Sequence, residues 1–251
     1  MTDQPADPTR GDGAATRPGV RETLRRAALL DPDHGRLPGL LLALTLLSGF
    51  VDATTVLSLG HVFVANMTGN LVFIGFGLAR TAGFSLATSL IAFGGFIVGI
   101  EGCRRWSRVR THRLALLRDV LIGQAVLLAA AAVACAAAGG DPTGATRYAV
   151  VAIAAAAMGG QNAAARRMGV AELTTSVMTG ALISLISNLD KPGSAEVRQA
   201  FGVIVLVAGA ATGALVLRAS NPAVTLTVCV AIAAAVALAA ARDCRRAAEG
   251  G

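Results

Sequence analysis

Apolar residues in this chain fall into long runs, not into the short alternation of a half-buried strand or the single stripe of an amphipathic helix. Six runs, at 40–57, 84–100, 119–138, 148–165, 201–217 and 223–241, each carry at most one or two ionisable groups. Each is about the length that crosses a ~30 Å hydrocarbon layer as a helix. Two further segments, 62–79 and 174–189, are apolar but interrupted by polar residues. The first lies within "GHVFVANMTGNLVFIG", residues 60–75, and sets Asn66, Thr68 and Asn70 around Gly69. The pattern predicts an all-α polytopic membrane protein with about six transmembrane helices and two interrupted or re-entrant segments.

The ends read differently. Residues 1–36 are rich in Pro, Asp, Gly, Thr and Arg and lack an apolar core, so a disordered cytoplasmic tail without a cleavable signal is expected. A single transmembrane domain is expected over 37–242, with a short cytoplasmic tail at 243–251.

Charge decides between two arrangements. The formal net charge is +7, but the arginines sit between the apolar runs, which argues against nucleic-acid binding and for the positive-inside rule. If all eight segments crossed with the N-terminus inside, 13 of the 22 Lys and Arg residues would lie inside and 9 outside. If 62–79 and 174–189 instead enter and return, 19 lie inside and only Arg80, Arg147 and Arg218 outside. The second arrangement is the expected one. It places both termini and the Arg-rich stretch 103–118 in the cytoplasm.

The interrupted segments resemble each other. "NMTGNLV" (66–72) pairs with "VMTGALI" (177–183) at an offset of 111, and "GFVDA" (49–53) with "GGQNA" (159–163) at 110. That alignment sets Asp52 opposite Asn162. The order of span, interrupted segment, span, span occurs twice, at about 37–138 and 147–241. Three spans per copy turn the second copy upside down, the inverted-repeat plan of many transporters and channels. Irregular backbone in a membrane is tolerated only where protein or a watery cavity surrounds it. On this reading Asn66, Thr68 and Asn70 cap broken helix ends, while Gly69 and Gly180 supply the structural breaks. Close helix packing by small and hydroxyl residues is the plainer alternative.

The two blocks "GFVDATTVLSLGHVFVANMTGNLVFIG" and "GGQNAAARRMGVAELTTSVMTGALISL" resemble the YoaK-like family of bacterial membrane proteins, over about residues 37–242. The resemblance implies a polytopic inner-membrane protein of bacteria. It supplies no substrate and no catalytic residue.

Asp52 is the acidic group well inside a predicted span, and a charge at mid-membrane costs ~2.5–3.5 kcal/mol on insertion scales. It therefore needs a partner: a proton or cation, or, structurally, Thr55, Asn66 or broken-helix backbone. Adjacent amides at Gln161 and Asn162 also need partners in an apolar setting, and the second "MTG" could supply them. Glu101 and Glu172 sit beside arginines, as surface ion pairs do. His61, Trp106 and Tyr148 lie at membrane edges, as interfacial residues do. Cys103, Cys135, Cys229 and Cys244 show neither disulfide nor zinc spacing. No nucleophile elbow, phosphate loop or paired carboxylate is evident, so neither an enzyme, a cofactor nor a metal is expected.

The expected function is a small-solute transporter or channel, its substrate site lined by Asp52, Asn66, Thr68, Asn70, Gln161, Asn162 and Thr179. A non-transporting membrane scaffold is the rival. The expected partners are the lipid bilayer, an unidentified small solute and, as an open alternative, further copies of the chain.

Overall fold

Helices account for most of the residues that the computed structural model describes, which are 37–110, 112–168, 186 and 194–249. In chain order they are α1 (Leu37–Ser58), α2 (Met67–Leu78), α3 (Leu86–Val109), α4 (Arg113–Ala137), α5 (Gly144–Arg167), α6 (Ser194–Ala219) and α7 (Pro222–Glu249). All but α2 contain an apolar window long enough to cross a membrane, with mean hydropathy from 1.2 to 2.5. The fold is that of an all-α polytopic membrane protein.

Several helices outrun their apolar runs. The Arg-rich stretch at 103–118 is not one long loop: α3 continues to Val109, α4 starts at Arg113, and only residues 110–112 separate them. Hydropathy marks where hydrocarbon ends, whereas Arg, Trp and Leu extend a helix into the interface without penalty.

α1 and α5 form the centre. Their apolar windows are 72% and 67% buried, against 22%, 33% and 17% for α3, α4 and α6. The outward side chains of the peripheral helices, such as Val98, Val126, Val207 and Leu215, are exposed and apolar, as a hydrocarbon solvent allows. Hydroxyl groups on α1 satisfy themselves: Thr45, Ser48, Thr54 and Ser58 each donate to the carbonyl four residues earlier, at 2.6 to 3.0 Å.

Two apolar clusters fix the direction of each helix. At one end, Leu37–Leu44 of α1 meets Cys103 at the end of α3, Leu117 early in α4, Ala164 late in α5 and Ala240 late in α7. At the other end, Leu47–Val51 and the segment after α1 meet Ala92 early in α3, Cys135 late in α4, Val150 early in α5 and Ala223 at the start of α7. The chain therefore leaves α1 and enters α3 at the same end, so 59–85 enters and returns. That is what the six-span arrangement expected of 62–79; the second segment, 174–189, lies outside the described residues apart from Ile186. Arg104, Arg118, Arg166, Arg167 and Arg242 gather at the Leu37 end, while Arg147 and Arg218 lie at the opposite end.

The most extensive packing joins α3 to α5 and α1 to α6. Both crossings are glycine contacts. A Cβ on Gly49 would collide with the carbonyl of Leu206 and one on Gly209 with that of Leu46; a Cβ on Gly159 would collide with the carbonyl of Phe96 and one on Gly99 with that of Ala156. Close backbone approach through glycine is how membrane helices gain packing without a hydrophobic drive.

Candidate functional site

The chain leaves α1 through Gly60 and His61, whose φ values of 99° and 53° reverse its direction. Glycine enters this region freely, and histidine at modest cost. Residues 59–66 then run back beside α1 without helical structure. Their depth is fixed by Asp52, whose Oδ1 accepts the backbone N–H groups of Val64 and Ala65, both at 2.8 Å. Asp52 lies about 9 Å below the end of α1, at ~1.5 Å of rise per residue. From that depth α2 climbs back over about 18 Å, and its Gly77 presses against the backbone of Leu86 at the start of α3.

Two buried side chains make irregular backbone tolerable there, where water cannot satisfy it. Asp52 covers two N–H groups. Asn70, fully buried, covers both polar groups of Phe63: its Oδ1 accepts the Phe63 N–H at 2.9 Å, and its Nδ2 donates to the Phe63 carbonyl. Thr55, named as a partner for the Asp52 carboxyl, donates instead to the Asp52 backbone carbonyl at 3.2 Å.

The break thus differs from the expected one. Asn66 holds the N-cap position of α2, but its side chain makes no capping bond. Thr68 is exposed on the first turn. Gly69 sits inside α2 and outside the positive-φ set, and its missing Cβ makes room for the Phe63 ring. The reversal is made by Gly60 and His61 instead, because "HVFV" is rich in β-branched and aromatic residues that accept extended backbone.

A cavity of about 330 Å³ opens between α1, this segment and α6. Asp52 and Asn66 are its polar lining. Phe63, Val56, Leu206 and Ala210 supply apolar walls. Asp52 therefore stands at three boundaries at once: helix, irregular backbone and open space. The N-terminus of α2, the positive end of its dipole, lies at the same place.

The two amides of α5 do not join this site. Gln161 Nε2 donates to Ser48 Oγ at 3.0 Å and to the Leu44 carbonyl at 3.3 Å, and its Oε1 accepts from Gln124 Nε2. Its partners among the described residues are thus on α1 and α4, while the second "MTG" lies outside those residues. Asn162 Nδ2 donates to the Met158 carbonyl at 3.0 Å. Neither amide lines the cavity. Thr179 and Gly180 lie outside the described residues, as does the expected meeting of the two "MTG" segments. Glu172 also lies outside them.

Gln124 was not among the expected residues, although the rule that singled out Gln161 applies to it: an amide in mid-run needs a partner. Phe63 was passed over as one more apolar residue. Glu101 pairs with Arg104 and Arg105, the latter at 2.8 Å, and Trp106 donates to Asp119 at 3.2 Å. The four cysteines are free, and the described residues contain no cluster of metal-ligating type.

Comparison with known proteins agrees with this architecture. The family described as "Protein of unknown function (DUF1275)" matches residues 40–239. The "UPF0700 transmembrane protein YoaK" of Bacillus subtilis (strain 168) is 48% identical over 61 residues, which cover 24% of this chain and 27% of the relative. The chain thus aligns with about a quarter of that relative's length. No solved structure matches. Six long apolar helices and a transmembrane relative make this a multi-pass membrane protein. With the family match running from α1 into α7, the chain belongs to the DUF1275 family of proteins of unknown function.

Proposed function

We propose that the protein is a small-solute transporter or channel of the bacterial cytoplasmic membrane, with both termini in the cytoplasm. The observation that carries this is the re-entrant segment 59–78 ending beside a cavity of about 330 Å³, with a carboxylate at its wall. Solute sites in transporters are commonly built where helices break near the bilayer midplane. A small, largely apolar solute bearing a cation or hydrogen-bond donor would meet Asp52 and Asn66 there. No catalytic step is assigned to any residue.

An inverted repeat supports the reading. Gly49 and Gly159, and likewise Gly99 and Gly209, lie 110 residues apart, and so do the carbonyls they face. The two clusters give α1 and α5 opposite directions. Asp52 in the first half then stands where Asn162 stands in the second, so at this pair of positions the carboxylate belongs to the first half.

Uptake into proteoliposomes across a panel of small solutes and pH tests the proposal. The wild type is expected to move at least one solute with pH dependence, and Asp52→Asn to keep its fold and lose that dependence. Retention of full pH dependence by Asp52→Asn would remove Asp52 from coupling. The orientation has its own check. A cysteine at His112, in a background without other cysteines, is expected to resist impermeant thiol reagents in intact cells; rapid labelling would put the α3–α4 turn outside.

A second reading keeps one observation in its favour. Asp52 and Asn70 both spend hydrogen bonds on the chain's own backbone, as a scaffold without cargo would. Absence of uptake by well-folded protein for every solute would favour it.

A further inference from the structure

Only three residues separate α3 from α4, yet the two helices scarcely touch each other; each packs instead on α5. They splay, and a cleft of about 430 Å³ lies between them with Ala156, Ala157 and Gly160 of α5 as its floor. Over the membrane-spanning length its walls are Val98, Gly102, Gly123 and Leu127. No atom lies within 4 Å of a Cβ built on Gly102 or Gly123. Both glycines are exposed, so the cleft opens outward, where a bilayer puts acyl chains.

At the turn end the cleft is bounded by Trp106 and Asp119. Arginines crowd this end. Arg110 and Arg118 pair with Asp119, the first at 3.0 Å, and Arg104 and Arg105 with Glu101. Arg108 and Arg113 are exposed and have no ion pair among the described residues. Six arginines thus face two carboxylates in α3 and α4, and Arg166 and Arg167 end α5 at the same level. An apolar trough under a surplus of positive charge matches an amphiphile with an anionic head.

We propose that this cleft holds an anionic phospholipid, with an acyl chain over Gly102 and Gly123 and its headgroup among Arg108, Arg113 and their neighbours. Nothing in this assignment depends on transport through the Asp52 cavity, which lies across the molecule between α1 and α6.

The test uses full-length protein reconstituted in vesicles of phosphatidylethanolamine with a minor share of phosphatidylglycerol. The protein is then extracted in mild detergent, and bound lipid is counted by native mass spectrometry. Phosphatidylglycerol is expected to be enriched over its share in the vesicles. Arg108→Gln and Arg113→Gln are each expected to lower the enrichment about fivefold, the effect of one basic residue near an anionic surface. Gly123→Leu and Gly102→Leu, whose Cβ atoms would enter open space, are expected to abolish bound lipid while leaving the thermal unfolding temperature unchanged. Bound lipid in the same ratio as the vesicles would overturn the proposal. So would enrichment that survives Gly123→Leu in folded protein, or a dimer that this substitution dissociates, which would make a second copy the occupant. If the glycine variants fail to fold, loss or survival of the enrichment in the two arginine variants decides.

Discussion

The α1–α6 and α3–α5 crossings are built alike and differ in one place. Each presses glycine against the carbonyls of its partner, at positions separated by 110 residues. The first has a buried carboxylate beside it, in a cavity where Asp52 lies with Leu206 and Ala210 of α6. At the matching point of the second, Asn162 turns to the Met158 carbonyl of its own helix. What both crossings share is packing. What the second lacks at that point is a carboxylate, so that charge is the feature of the first that packing alone does not demand.

The largest effects should come from breaking the shared part. Gly49→Leu and Gly159→Leu each drive a side chain into backbone that cannot yield, and each should destabilise the protein by on the order of 3 kcal/mol, at the upper end for overpacking. Unfolding in detergent, followed by circular dichroism, checks this. A loss at one crossing but not the other would end their equivalence.

Asp52 sharpens the unshared part. Asp52→Leu should strand the N–H groups of Val64 and Ala65, at ~1–3 kcal/mol each. Asp52→Asn keeps an acceptor oxygen for them and should cost under about 1.5 kcal/mol, the net worth of a typical hydrogen bond. Hydrogen exchange at Val64 and Ala65 reads the difference directly. Equal instability of the two variants would mean that the charge itself holds the segment in place.

The smallest effect is expected at the amide network of α5. Replacing Gln124 and Gln161 together by Met should cost less than about 1.5 kcal/mol, because both ends of their shared hydrogen bond go at once, the shapes persist, and Ser48 and the Leu44 carbonyl, which lose Gln161, still bond each other. Gln124→Met alone should cost more per residue removed, since it leaves Gln161 Oε1 buried and unpaired. Thermal unfolding of the two variants side by side decides.

Much of the fold was legible in the sequence because hydrocarbon is an exacting solvent. Its thickness fixes run length, and its exclusion of charge sorts arginines to one end, so the number of long apolar helices and the return of 59–85 followed from counting. Helix ends did not follow, because Arg104 and Arg105 leave hydrocarbon without leaving the helix. The site was half legible. Polar residues in an apolar run announced that backbone needed partners, but not which backbone: Asn70 reaches back seven residues to Phe63, a distance no local capping rule supplies. Asp52 was found by its improbability. The turn at Gly60 and His61 was missed because Gly69, in its polar setting, looked more like a break than a glycine in an apolar stretch did.

The hydroxyls of α1 bear on how the bundle could move. Thr45, Ser48, Thr54 and Ser58 all bond inward to their own helix. Among the described residues no side-chain hydrogen bond crosses from α1 to α6. A displacement of α6 along α1 would therefore meet steric friction from glycine and carbonyl ridges but no polar latch. Against α5 there is such a latch, since Gln161 grips Ser48 and the Leu44 carbonyl together. Rocking that opened the Asp52 cavity would thus take its hinge on the α1–α5 side and its sliding surface on α6.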